Sequence, residues 1–316
     1  MPGSRAPERA DVRPSVTRAQ DVVANASGEN FPVALRVLPA DHRRHLTALY
    51  CFARLTDDLG DEARVRGAWG DGQSPHERGV PGGRPPGLAQ LRGKLLDELE
   101  ADVRRIYEGQ APNAPALKTL AGTVKECGVP AQPLLDLIQA NRQDQQVTRY
   151  ATFKELQQYC DLSANPVGRV VLYIFGAATD ERIALSDRIC TALQLAEHWQ
   201  DVAEDLRDKG RIYLPAEEME RFGVTEADLA EPSANQAVRA LMTFEVARAG
   251  HMLDDGAPLV GTLHGWARLA VAGYVAGGRA ALAAIEAQNY DVLAATARPR
   301  KRRLAAELVK TYLSRR

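Results

Sequence analysis

The chain has 316 residues, 45% hydrophobic and 26% charged, with 40 basic side chains against 41 acidic ones and a formal net charge of −1. That near-balance excludes a global basic field of the kind that gathers nucleic acid, so no nucleic-acid partner is expected. Aromatic residues make up 6%, alanine, leucine and arginine are plentiful, and strings of β-branched residues are scarce, which favours helix over sheet.

Residues 1–15 are polar and Pro-rich, with no apolar segment of the kind a secretory leader needs, and are expected to be a disordered tail. The first helix is predicted over 41–62, where Leu46, Leu49, Tyr50 and Ala53 recur at helical spacing. A Gly/Pro-rich insertion without periodicity follows at about 64–87. Further helices are predicted over 88–109, 115–127, 133–147, 152–178, 181–207, 233–254, 258–288 and 300–315. Thr152 and Glu155 have capping-box spacing, and Pro166 predicts a kink inside 152–178. Gly168, two residues on, lets a neighbouring chain or a ligand come close.

No alternating strand pattern, no dividing linker and no run of about 18 apolar residues is present, so one all-α domain over 16–316 is expected, with no membrane-spanning helix. The four cysteines, Cys51, Cys127, Cys160 and Cys190, are far apart in apolar surroundings and read as free thiols of a cytoplasmic protein.

Two stretches are unusually acidic. The first helix ends in Asp57, Asp58, Asp61 and Glu62, and a later apolar helix carries Asp201, Glu204 and Asp205. Asp57 and Asp61 are four apart, as are Asp201 and Asp205, so each pair shares one helix face. Like charges at this spacing cost an isolated helix about 0.2–0.5 kcal/mol per pair. A solvated helix end accounts for one such pair alone. Two pairs on apolar helices point instead to cations between them, and Mg²⁺ fits, because it takes one or two carboxylates together with water and phosphate oxygens. The pattern suggests a diphosphate-binding cavity within a helical bundle.

At these residues the chain resembles the squalene/phytoene synthase family. Arg54, Asp57 and Asp61, with Tyr50 one turn earlier, match the family's first DxxxD motif. Gln194, Asp201 and Asp205, followed by "GRIYLP" at 210–215, match the second, and "YCDLSANPVG" at 159–168 matches the helix between them. The likeness runs from about residue 28 to 295. "RQDQQVTRYATF" (142–153), "SANPVG" (163–168) and "HWQDVAEDL" (198–206) look most like the branch that makes hydroxysqualene in the bacterial hopanoid pathway. One position departs from the family: Glu197 replaces the asparagine of the second motif.

The resemblance implies a single-domain isoprenoid synthase helical bundle around a central cavity, Mg²⁺ as cofactor, and a prenyl diphosphate as substrate. Asp57, Asp61, Asp201, Asp205 and Glu197 are the implied metal ligands. Tyr50, Arg54, Tyr159, Gln194, Arg211 and Tyr213 are the implied catalytic residues, and Lys209 is a further candidate toward diphosphate. The branch implies presqualene diphosphate as substrate, with farnesyl diphosphate for its in-family rivals, and exchange with other enzymes of hopanoid synthesis. Plainer readings stand beside these: core packing for the tyrosines, a neutral wall position for His198, and salt bridges for the arginines. The basic run "RPRKRR" (298–303) is either a solvated helix start or a contact with an anionic bilayer at the inner face of the cell membrane.

Overall fold

In a computed structural model the described residues are 38–60 and 88–313. The tail expected at 1–15, the insertion at about 64–87, and Asp61 and Glu62 lie outside them.

The chain folds as helix after helix: α1 (Ala40–Gly60), α2 (Leu88–Tyr107), α3 (Leu117–Cys127), α4 (Ala131–Gln143), α5 (Phe153–Ser163), α6 (Asn165–Ile174) and α7 (Asp180–Gln200). After a π-helical turn at Asp205–Lys209 come α8 (Ala216–Phe222), α9 (Gln236–Gly256), α10 (Gly265–Ala287) and α11 (Lys301–Leu313). No strand occurs among the described residues, and the four cysteines carry free thiols.

Apolar faces at helical spacing drive the assembly. Leu46, Leu49, Phe52, Leu96, Leu117, Leu134 and Ile138 gather α1 to α4 into one cluster. Leu156, Leu195, Trp199, Val238, Met242, Leu253 and Val275 gather α5, α7, α9 and α10 into another. Helix α6 joins the two, giving Val170, Val171 and Ile174 to the first and Leu172 to the second. Each such fully buried large side chain contributes about 1.5–3 kcal/mol of transfer free energy. Helix α10 is long and apolar enough to cross a membrane by composition, yet 67% of its apolar window is buried within the protein. It is a core helix.

The structure departs from the sequence expectations at several points, and the helix expected over 258–288 is two, Leu259–Thr262 and Gly265–Ala287. Residues 152–178 are two helices, because α5 ends at Ser163 and α6 begins at Asn165. Pro166 therefore occupies the first turn of α6, where its missing N–H costs no helical hydrogen bond, and kinks nothing. Gly168 does allow the close approach expected of it, and what comes close is a helix: a Cβ there would run into Cys190 Sγ and Ser186 Oγ of α7. Finally, Thr152 Oγ1 accepts the Glu155 N–H at 3.2 Å as expected, but the Glu155 carboxylate reaches back to the N–H of Ala151 instead of to Thr152 itself.

Candidate active site

The predicted helix over 181–207 breaks at its acids. Regular α7 stops at Gln200, and Asp201 bends away with φ −108° and ψ 16°. One short turn, Val202–Glu204, leads into the wider π turn Asp205–Lys209, which Gly210 closes at φ 65° in the left-handed region. The Asp205 N–H still donates to the Asp201 carbonyl at 2.8 Å, so the two acids remain one turn apart.

These two carboxyls are in unlike states. Burial, then the neighbouring Asp205 and Glu204 charges, push the half-buried Asp201 carboxyl up to about 6. Burial also pushes Asp205 up, but His198 and Lys209 face it and hold it below the usual carboxylate range. Lys209 Nζ lies 3.0 Å from Asp205 Oδ1. His198 Nδ1 is 3.9 Å from Asp205 Oδ2, near but beyond a direct hydrogen bond. Burial lowers the His198 pKa and keeps the ring neutral. Its Nε2 is 3.2 Å from Gln194 Nε2 on the preceding turn, which brings the Gln194 of the motif to the same wall. Arg298, beyond α10, also lies close enough to Asp201 to favour its charge.

Beneath the acids is a stack of rings. His198 lies flat on Tyr213 at 3.6 Å and 12°. Tyr213 in turn is 5.9 Å from both Tyr150 and Tyr159. Burial raises the pKa of all three tyrosines, so each phenol stays protonated. His198, Val202, Asp205, Arg211, Ile212, Tyr213 and Leu214 line a small cavity at this point.

The first acidic stretch reaches this wall through α4. Asn141 Nδ2 donates to Asp57 Oδ1 at 3.2 Å. One turn later Asp144 accepts the Tyr159 hydroxyl at 3.0 Å. The main-chain oxygen of Asp144 accepts Arg211 Nη2 at 2.8 Å, and its carboxylate is 3.7 Å from Nη1. Arg211 is only 3% exposed. It is a buried guanidinium anchored on α4, and its electrostatic reach extends to Tyr213 and His198. Arg54 Nε pairs instead with Asp58 at 2.9 Å along α1, which gives that flanking acid a defined partner. Glu197 is exposed on the turn before Asp201, and its carbonyl accepts the Asp201 N–H. Tyr50 stands on α1 half-buried, one turn before Arg54.

Thus Tyr159, Gln194, Asp201, Asp205, Arg211 and Tyr213 lie along one wall. Asn141, Asp144 and Tyr150 were not singled out by the sequence, although Asp144 and Tyr150 fall within "RQDQQVTRYATF". Among the described residues no three His, Cys, Asp or Glu side chains converge to hold a metal by protein atoms alone. The donor set still fits Mg²⁺. Asp201 is a carboxylate whose charge its neighbours oppose, and Mg²⁺ completes its shell with phosphate and water oxygens.

The chain resembles known proteins in sequence and fold. The family model of squalene/phytoene synthase matches residues 24–305. The hydroxysqualene synthase of Rhodopseudomonas palustris is 32% identical over 231 residues, 73% of this chain and 70% of that one. The 15-cis-phytoene synthase of Synechocystis is 30% identical over 297 residues, 88% of this chain and 80% of that one. The crystal structure of squalene synthase HpnC from Alicyclobacillus acidocaldarius superposes with a TM-score of 0.72 at 38% identity, covering 86% of this chain and 93% of that one. The chain belongs to the squalene/phytoene synthase family, whose members act on prenyl diphosphates.

Proposed function

We propose that the protein is a hydroxysqualene synthase, converting presqualene diphosphate and water to hydroxysqualene and diphosphate. The observation that carries a diphosphate site is the meeting of Asp201 and Asp205 with Lys209, Arg211 and Arg298 around one bend. Acids and bases mixed at one mouth suit a metal–diphosphate pair better than either ion alone. The choice of branch is supported by likeness to hydroxysqualene synthases of Rhodopseudomonas palustris and Zymomonas mobilis, at 32% and 30% identity.

In this reading Asp201 and Asp205, with Asp57 and Asp61 from the first motif, would hold Mg²⁺. When bound it neutralises charge on the departing diphosphate as a Lewis acid. Lys209 and Arg211 offer N–H donors to diphosphate oxygens. The carbon–oxygen bond breaks with its electron pair leaving on the diphosphate, and a cyclopropylcarbinyl cation remains. The ring faces of Tyr159 and Tyr213 stabilise such a cation by about 0.5–2 kcal/mol. Ring opening moves the charge, water forms the new carbon–oxygen bond, and its proton passes to solvent. Neutral His198 orients the wall, with Gln194 on one side and Tyr213 on its face.

The test is to supply purified protein and Mg²⁺ with presqualene diphosphate or farnesyl diphosphate, without nicotinamide. Hydroxysqualene from presqualene diphosphate, identified by mass spectrometry, is the expected result. Use of farnesyl diphosphate alone would overturn the assignment in favour of a synthase that condenses two prenyl diphosphates, a reading that the likeness to 15-cis-phytoene synthase over 88% of the chain supports.

A further inference from the structure

The inward face of α4 changes character along its length. Leu134, Leu137 and Ile138 belong to the same core cluster as Leu46, Leu49 and Phe52 of α1. At helical spacing that stripe continues as Asn141 and, at the end of the helix, Asp144. Both polar side chains are buried, Asn141 6% and Asp144 7% exposed. A leucine at 141 would extend the apolar stripe and is the better helix former, whereas a buried amide costs free energy unless its N–H groups find acceptors.

Asn141 meets that condition in one orientation. Its Nδ2 donates to the Leu137 carbonyl at 3.2 Å and to Asp57 Oδ1, also at 3.2 Å. A carbonyl and a carboxylate only accept, so turning the amide over would set oxygen against oxygen. The main-chain carbonyl of Asn141 accepts Gln145 Nε2 at 3.1 Å. On the outer side of α4, Arg142 pairs with Asp97 of α2 at 2.7 Å and with Glu100 at 2.5 Å. The donor is thus presented by a helix held on two sides. The same helix end anchors Arg211 through Asp144. Asp57, the acceptor, is exposed near the end of α1.

We infer that Asn141 is a positioning residue for the first acidic motif: its amide aims the Asp57 carboxylate at a divalent cation, and α4 thereby holds Asp57 and Arg211 on one frame. Groups that orient metal ligands from behind are worth about 10–100-fold in metal affinity. The inference rests on the reading of Asp57 as a metal ligand and holds whichever prenyl diphosphate the active site takes.

The experiment is titration of the full chain with Mn²⁺, which takes the same oxygen ligands as Mg²⁺, followed by loss of the free-ion electron paramagnetic resonance signal. Wild type is compared with Asn141→Ala, Asn141→Leu, Asp57→Ala and Arg142→Ala. Both Asn141 variants are expected to bind Mn²⁺ about tenfold more weakly or worse. Arg142→Ala loosens the same helix from its outer side and should keep wild-type affinity, which separates aiming from helix stability. In turnover, the Asn141 variants should need about tenfold more Mg²⁺ and regain most of the wild-type kcat when it is saturating, a pattern that loss of fold does not give. Wild-type Mn²⁺ affinity in both Asn141 variants, with affinity lost in Asp57→Ala, would overturn the inference and leave the metal reading standing. Wild-type affinity in Asp57→Ala would overturn both. Equal losses in Arg142→Ala and Asn141→Ala would reduce Asn141 to a structural residue and overturn the inference as well.

Discussion

Two groups of buried acids can be set side by side. At the bend after α7, Asp201 is raised to about 6 beside Asp205, with cations and a cavity at hand. Where α8 meets α9, Glu245 is fully buried and raised to about 7, chiefly by burial. Glu245 shares Arg248 with Glu218: Arg248 Nη1 is 3.6 Å from Glu245, while Nη2 contacts Glu218 directly. The guanidinium is also clamped over Phe153 at 3.9 Å and Phe244 at 4.5 Å. Neither Glu245 oxygen has a hydrogen-bond partner among the described residues. A shifted carboxyl therefore does not by itself mark an active site. Access, a choice of cations and a break in the helix distinguish the first group. The second is sealed by aromatic rings.

Mutation sharpens the contrast. Asp201→Ala should cost turnover on the order of a thousandfold with the fold kept, whereas Glu245→Gln should leave turnover close to wild type. Steady-state kinetics on both variants checks this, and equal losses would erase the distinction. Asp144→Ala strands the buried Arg211 guanidinium and should destabilise the protein by about 3–5 kcal/mol in a denaturant titration. Glu245→Gln should act the other way. Because folding raises the Glu245 value to about 7, the folded state binds the extra proton between the ordinary carboxyl range and that value. Wild-type stability then falls as pH rises toward neutrality, and the glutamine variant should be more stable at pH 8 by about 1–3 kcal/mol.

Asp201 gives the smallest of these effects. Without metal, its raised value makes stability fall between about pH 4 and 6, by about 1 kcal/mol once solvent screening of this half-buried group is allowed for. Mg²⁺ affinity should run oppositely and weaken as pH drops through about 6, because the ligand must lose its proton. Metal-free denaturant titrations at about pH 4.5 and 6.5 measure the first slope, and calorimetric titration with Mg²⁺ at about pH 5.5 and 7.5 the second.

The fold was largely legible in the sequence because helical periodicity is a local property. Leu46, Leu49 and Phe52, or Leu96, Leu99 and Val103, announce their faces without reference to any neighbour. Breaks imposed by packing were less legible. Neither glycine nor proline marks the bend at Asp201, and Pro166 suggested a kink where a new helix begins. In the site, Asp201 and Asp205 stood out by spacing, and Gln194, Arg211 and Tyr213 only through the likeness to the family's motifs. Asn141 and Asp144 did not, since one polar residue on an amphipathic helix carries no periodic signal. Their meaning depends on Asp57, Tyr159 and Arg211, which are distant in sequence. Arg54 matched its motif, yet along α1 it pairs with Asp58.

The π turn at Asp205–Lys209 has one more consequence. A π turn is an α turn with one residue inserted, and each helical residue advances about 100° around the axis. Deleting one residue from 206–208 should let the helix rewind as α and swing the downstream chain by about that angle. Arg211 would then be carried off its anchor on Asp144, and Tyr213 off the face of His198. The pairing of acids with the "GRIYLP" segment is thus phased by a single residue. Single-codon deletion scanning through the turn should be far less tolerated than substitution at the same positions.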